Sequence, residues 1–260
     1  MKTIVITGAS SGIGAALARH LGRQGHNLVL AARRAEALNA VAHEITSHVI
    51  TVVTDVTRRE HVNRLRDEAL RAFGAIDVWI NNVGRGISRP ALDLTDAEFD
   101  EMMLVNVKSA LYGMQAIVPH FVERRQGHII NISSFLGRVP IATHRSAYNA
   151  AKAALNALTA NVRVDLAAKY PEVHVSLVMP GLVATEFAKN AIGSSGGVAP
   201  VWSTNSPTQS ADEVAAAIAG VIERPVAEIY TNPASAAMAR RYLEDVNAFE
   251  ESLRPTPARA

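Results

Sequence analysis

The chain of 260 residues contains no cysteine. A disulfide scaffold, a thiolate metal site and a thiol nucleophile are therefore excluded, and the composition is compatible with a reducing compartment. Apolar runs long enough to span a bilayer are missing as well. The segment Thr3–Ile6 is too short for the core of a secretory signal. There is no block of like charges and no interleaving of basic and aromatic residues. The Arg-rich stretch 58–68 mixes both signs and reads as a solvated helix face, not a nucleic-acid patch. The nine histidines show no metal-ligand spacing, so no metal is expected. These absences point to a soluble cytoplasmic protein without a nucleic-acid or membrane partner.

What is present is alternation. Short β-branched runs at 2–7, 27–32, 48–53, 75–81, 127–132, 174–179 and 226–230 read as seven strands. Between them lie segments with helical spacing, such as Ile13, Leu17 and Leu21. Helices are predicted over 12–24, 34–46, to Phe73 from a Thr57/Glu60 capping box, from a Thr95/Glu98 capping box to about Val122, over 146–169, and from a Ser210/Glu213 capping box. A break is expected near Tyr112-Gly113, and a kink or end near Pro119. The tail from Pro233 reads as a helix followed by a loose end around Pro255 and Pro257.

The strands are apolar on both faces, which predicts a parallel sheet covered by helices on each side. The expected fold is a doubly wound seven-stranded Rossmann-type α/β domain spanning 1–260, with 233–260 as a C-terminal extension. The insert 186–206, which holds Gly193, Gly196 and Gly197, reads as a substrate lid.

The turn Thr7-Gly8-Ala9-Ser10-Ser11-Gly12-Ile13-Gly14 joins the first strand to the first helix. Its glycines permit a tight turn and close approach of a pyrophosphate, and the helix N-terminus supplies free N–H donors. NAD binders commonly place an acid about 20 residues beyond such glycines. Here that point holds Ala32-Arg33-Arg34. Two guanidinium groups suit a 2′-phosphate, so NADP is expected over NAD, with Arg33 the better candidate. Asp55, after the third strand, is placed to accept an adenine amino group or to cap a helix. The turn Asn81-Asn82-Val83-Gly84 can line the cofactor edge.

Tyr148 and Lys152 are one helical turn apart in an alanine-rich run, so they share a face. A phenol beside an ammonium group is a proton donor whose pKa is expected to fall below its usual value near ~10.

Taken in order, Thr7–Gly14, Asp55, Asn81–Gly84, Asn106, Ser134, Tyr148 with Lys152, and Pro180-Gly181 with Thr185 resemble the short-chain dehydrogenase/reductase family over nearly the whole chain. The similarity is to its compact branch, with glycines spaced as TGxxxGxG; Val83 departs from the family's usual alanine. The resemblance implies an oxidoreductase acting on an alcohol or carbonyl group. Tyr148 would be the general acid or base, and Lys152 would hold the ribose and tune the tyrosine. Ser134 would donate to the carbonyl oxygen, and Asn106 would hold a water linking Lys152 to solvent. Ser133 remains the alternative serine, because the loop to Tyr148 is about a residue longer than is common. Gly8, Ser10, Ser11, Gly12, Ile13, Gly14, Val56, Asn82, Val83, Gly84, Pro180, Gly181, Val183 and Thr185 would line the cofactor, with Thr185 on the carboxamide. A homodimer or homotetramer is implied. Phe135, Leu136, Val139, Ile141 and the turn 85–87 are candidate pocket walls, while His144, Arg145, Arg85 and Arg138 read as surface residues first. The alternatives are an NADPH-sensing protein without turnover, and an epimerase or dehydratase on the same fold.

Overall fold

A computed structural model describes residues 1–187, 190–193 and 208–254. Seven parallel strands form one sheet in the order β3-β2-β1-β4-β5-β6-β7. They are β1 (Thr3–Thr7), β2 (Asn27–Ala32), β3 (Val49–Val53), β4 (Val78–Asn81), β5 (Gly127–Ile132), β6 (Val173–Met179) and β7 (Glu228–Tyr230). The order reverses between β1 and β4, so a crevice opens there beyond the strand C-termini.

The sheet is covered on both faces. Leu17 and Leu21 of α1 (Gly12–Arg23), Leu38 and Val41 of α2 (Ala35–His43), and Val214 and Ile218 of α7 (Ala211–Glu223) fill one side. Leu65 of α3 (Arg59–Phe73), Ile117 and Phe121 of α5 (Ser109–Arg124), and Leu166 of α6 (Ser146–Ala167) fill the other. Each buried Leu or Ile contributes roughly 1.5–3 kcal/mol. A third apolar cluster caps the C-terminal end of the sheet. It joins Ile87, Phe135, Leu136, Val139 and Tyr148 to Ala239 of α8 (Pro233–Glu244) and Phe249 of α9 (Val246–Ser252). The extension after Pro233 thus packs against the end where the crevice lies. The tail at 255–260 and most of the insert lie outside the described residues.

Three local expectations need correction. The capping boxes at Thr95, opening α4 (Asp96–Met103), and at Ser210 form, but the one at Thr57 does not. The Thr57 hydroxyl and N–H both donate to Asp55 Oδ1, at 2.7 and 3.0 Å, and α3 starts at Arg59. The break near Tyr112-Gly113 is also absent. The chain widens instead to a π-helical stretch at Leu104–Lys108, then continues as α5 past Pro119 to Arg124, so the helix does not end at that proline. Gly113 serves packing: a Cβ there would overlap Asn81 Oδ1 and lie 2.6 Å from Trp79 Nε1.

That contact belongs to a buried polar network. Trp79 Nε1 donates to Asn81 Oδ1 at 2.8 Å, Asn81 Nδ2 to Asn131 Oδ1 at 2.8 Å, and Asn131 Nδ2 to Thr159 Oγ1 at 2.9 Å. Asn81 and Asn131 are register partners on β4 and β5.

Candidate active site

The turn after β1 is shaped for close approach by a ligand. Gly8 and Gly12 have φ of 70° and 54°, in the left-handed region. A Cβ on Gly14 would overlap the Gly8 carbonyl oxygen and lie 2.7 Å from Asn82 Nδ2. Asn82 in turn holds the turn from the side, donating to Thr7 O at 3.0 Å, while its N–H donates to Thr7 Oγ1 at 3.0 Å. The N-terminus of α1 has no side-chain cap and no acidic residue in its first turn. Its free N–H groups and positive dipole end suit a phosphate. Gly14→Ala is expected to abolish dinucleotide binding and to lower Tm; a variant that still binds NADPH normally would show that the turn tolerates displacement.

Arg34 reaches over this turn, donating to Ser10 Oγ at 3.3 Å and Ser11 Oγ at 3.2 Å. Arg33 is exposed and acts electrostatically on Asp55. Burial pushes the Asp55 carboxyl up, but the Thr57 hydrogen bonds, Arg33 and His61 outweigh it and hold it below its ordinary value. One Asp55 oxygen is thereby occupied by its own loop. Val56 is buried beside it. Across the crevice, Thr185 Cγ2 stands 3.4 Å from where a Gly12 Cβ would be, so the 180–185 segment faces the α1 N-terminus. The Pro180 carbonyl accepts from Phe135 N–H at 2.8 Å, Gly181 lies close against Ser235, and Val183 bridges to Gln209.

Ser134, Tyr148 and Lys152 gather at the end of β5. The Ser134 hydroxyl lies close enough to the buried Tyr148 phenol to pull its pKa down, and it accepts from Leu136 N–H at 3.2 Å. Ser133 points the other way, donating to Asn156 Oδ1 on α6. Lys152 Nζ donates to Ile132 O at 2.9 Å and lies 5.7 Å from the Tyr148 ring centroid. Gly84 leaves room for this amine: a Cβ there would be 3.5 Å from Lys152 Nζ and 3.2 Å from Asn106 Oδ1. Asn106, in the π-helical stretch, spends its amide on backbone. Its Oδ1 accepts from Arg85 N–H at 3.1 Å, and its Nδ2 donates to Arg85 O and Met102 O, each at 3.0 Å. It therefore fixes the turn beside Gly84 and makes no direct bond to Lys152.

The expected fall in the Tyr148 pKa is reversed. Burial lifts the phenol to about 12, against the Ser134 hydroxyl and the positive Arg145, which pull it down. Burial likewise lowers the Lys152 ammonium to about 7. Removal from water penalises the charged form of each.

The short chain dehydrogenase family model matches residues 2–194. The chain belongs to the short-chain dehydrogenase family. An uncharacterized oxidoreductase of Staphylococcus epidermidis is 36% identical over 184 residues, covering 71% of this chain and 79% of the relative. Among solved structures, a short-chain dehydrogenase/reductase from Burkholderia phymatum in complex with NAD superposes with a TM-score of 0.85. It is 29% identical, and the match covers 100% of this chain and 98% of that one. A short-chain dehydrogenase from Burkholderia cenocepacia in complex with NADP gives 0.81 at 29% identity, covering 98% of each chain.

Within this short-chain dehydrogenase, sequence reasoning underrated two residues. The Phe187 ring packs on Tyr148 with centroids 5.3 Å apart. Arg145, read as a surface residue, is half-buried beside the same tyrosine. Its place at the start of α6, three residues before Tyr148, was the available signal. Arg85 and Arg138 pair with Glu101 and Glu228, as surface arginines do. Gly137 was overlooked too; a Cβ there would stand 2.7 Å from the Lys152 backbone, so this glycine lets its loop lie on α6.

Proposed function

We propose that the chain is an NADP-dependent oxidoreductase that interconverts a ketone or aldehyde and its alcohol. The observation that carries this reading is the meeting of the Ser134 and Tyr148 hydroxyls beside Lys152, at the sheet end that holds the glycine turn. The dinucleotide, when bound, supplies or accepts the hydride. The protein contributes position and proton. Tyr148, kept neutral by burial, donates its proton to the carbonyl oxygen as negative charge develops there, and takes it back in the reverse direction. Ser134 donates a hydrogen bond to that oxygen. Lys152 and Tyr148 together hold the ribose hydroxyls, and Asn106 fixes the neighbouring turn.

For the cofactor, the α1 N-terminus takes the pyrophosphate and Thr185 the carboxamide. Asp55 and Val56 line the adenine, and Asn82, Val83 and Gly84 form the edge. Arg33 and Arg34 take the 2′-phosphate, with no carboxylate at that strand end to repel it. The Arg34 bonds to Ser10 and Ser11 place one of these cations on the rim of the turn. Arg33→Ala is expected to raise the KM for NADPH by about 10-fold or more, consistent with charge-assisted hydrogen bonds worth roughly 1.5–3 kcal/mol, and to move the KM for NADH by much less. Equal losses with both cofactors would remove the NADP assignment.

Phe135, Leu136, Val139, Ile141 and Phe187 belong to one apolar cluster with Tyr148, which favours a carbonyl substrate with a hydrophobic body. The chain acts as a cytoplasmic homodimer or homotetramer in this reading. A panel of ketones and aldehydes run with NADPH and with NADH tests it: NADPH is oxidised by at least one carbonyl. Tight NADPH binding without oxidation by any of them would favour a cofactor sensor, and product formation without net oxidation would favour an epimerase or dehydratase.

A further inference from the structure

Four arginines lie around the mouth of the site, and one differs from the rest. Arg85 pairs with Glu101, Arg89 with Glu98 and Arg138 with Glu228. Arg145 has no carboxylate partner among the described residues. Among the described residues its guanidinium makes one hydrogen bond, Nη1 to Ile87 O at 3.1 Å, which leaves most of its five N–H donors without an acceptor there. It is also half-buried, and desolvation lowers its pKa. A guanidinium withdrawn from water without an anion is unfavourable.

Its position is specific. A Cβ on Gly86 would lie 3.0 Å from Arg145 Nη1 and 2.9 Å from the Phe187 ring edge. Phe187 in turn packs on the Tyr148 ring. Arg145, Gly86, Phe187 and Tyr148 are therefore consecutive pieces of one wall. Gly86 lets Phe187 and Arg145 close in on the 86 backbone, and any larger residue would push them apart.

We propose that Arg145 receives the carboxylate of the substrate, so that the enzyme acts on oxo acids and the matching hydroxy acids. The inference rests on the carbonyl-reductase reading and names its substrate class. In the reaction, hydride from the reduced nicotinamide forms the new C–H bond as the carbonyl π bond breaks. The proton on the new hydroxyl comes from Tyr148, and the nicotinamide is oxidised by two electrons. The carboxylate is a spectator that a planar guanidinium binds through paired hydrogen bonds and so orients the carbonyl.

The test compares 2-oxobutyrate and acetoacetate with their methyl esters, in wild type, Arg145→Lys and Arg145→Met. In wild type, at least one acid is expected to exceed its ester in kcat/KM by about 10–100-fold. The methionine variant brings that ratio close to one, and the lysine variant leaves it between the two. A ratio at or below one for both acids in wild type, or a preference for the acid undiminished in Arg145→Met, overturns the proposal. If no carbonyl oxidises NADPH, the reductase reading itself has failed. Binding then decides about Arg145: calorimetric titration of butyrate and butyramide into the protein with NADP+ is expected to favour butyrate in wild type alone. Equal binding of the two in wild type, or a butyrate preference kept by Arg145→Met, overturns it.

Discussion

Tyr148→Phe is expected to lower kcat for carbonyl reduction by about 10²–10⁴-fold, the usual contribution of a positioned general acid. The substitution removes one oxygen from a ring that is otherwise packed, with Phe187 at 5.3 Å between centroids. The wall is therefore preserved while the proton is lost. NADPH affinity should change by no more than about 10-fold, as for the loss of one neutral hydrogen bond. Burial holds the wild-type phenol in its acid form to about pH 12 in the unliganded protein, so the proton donor is the resident species at neutral pH. Single-turnover oxidation of NADPH measures the step directly. A variant that retains more than a tenth of the wild-type rate would assign the proton to another group.

Lys152→Met is expected to abolish turnover and yet to stabilise the unliganded protein. The folded-state pKa of about 7 lies well below the ordinary 10.5. Between these values the unfolded chain carries the proton and the folded chain does not. Wild-type stability therefore rises with pH across the window from about 7 to 10.5, and the full penalty acts at and below pH 7. That penalty is on the order of 4 kcal/mol. Losing the hydrogen bond to Ile132 O offsets about 1–3 kcal/mol of the gain. The variant should melt several degrees above wild type at pH 7, with the advantage fading as pH approaches 10.5. Tyr148 works in the opposite sense, since its raised pKa removes stability between pH 10 and about 12. It is common to both proteins, so the difference between them isolates Lys152. A Tm difference that does not change with pH would mean that the amine stays protonated in the fold.

Much of this fold was legible because buried parallel strands are apolar on both faces, and runs such as Ile4-Val5-Ile6 leave little choice. Two of the three capping boxes followed from their own residues. The third failed because Asp55, two residues away, captured the Thr57 hydroxyl, a competition that local spacing does not rank. The π-helical stretch was hidden for a related reason: Asn106 spends its amide on Arg85, which is near only after folding. Gly113 looked like a breaker because its reason, the Asn81 and Trp79 side chains, lies on another element. At the site, spacing placed Tyr148 and Lys152 together but carried nothing about their dielectric surroundings. The direction of the tyrosine shift was consequently read backwards. The choice between Ser133 and Ser134 depended on which hydroxyl faces Asn156, again a matter of packing.

The Trp79–Asn81–Asn131–Thr159 chain bears on assembly order. Residue 81 immediately precedes the amide that braces the glycine turn, and residue 131 lies three positions before the serine beside Tyr148. Sliding β4 past β5 by a single residue would leave those amides stranded in hydrocarbon, an expensive mismatch. The two halves of the crevice are thus indexed to each other by a peg deep in the sheet, which fixes the positions of Asn82 and Ser134 relative to one another.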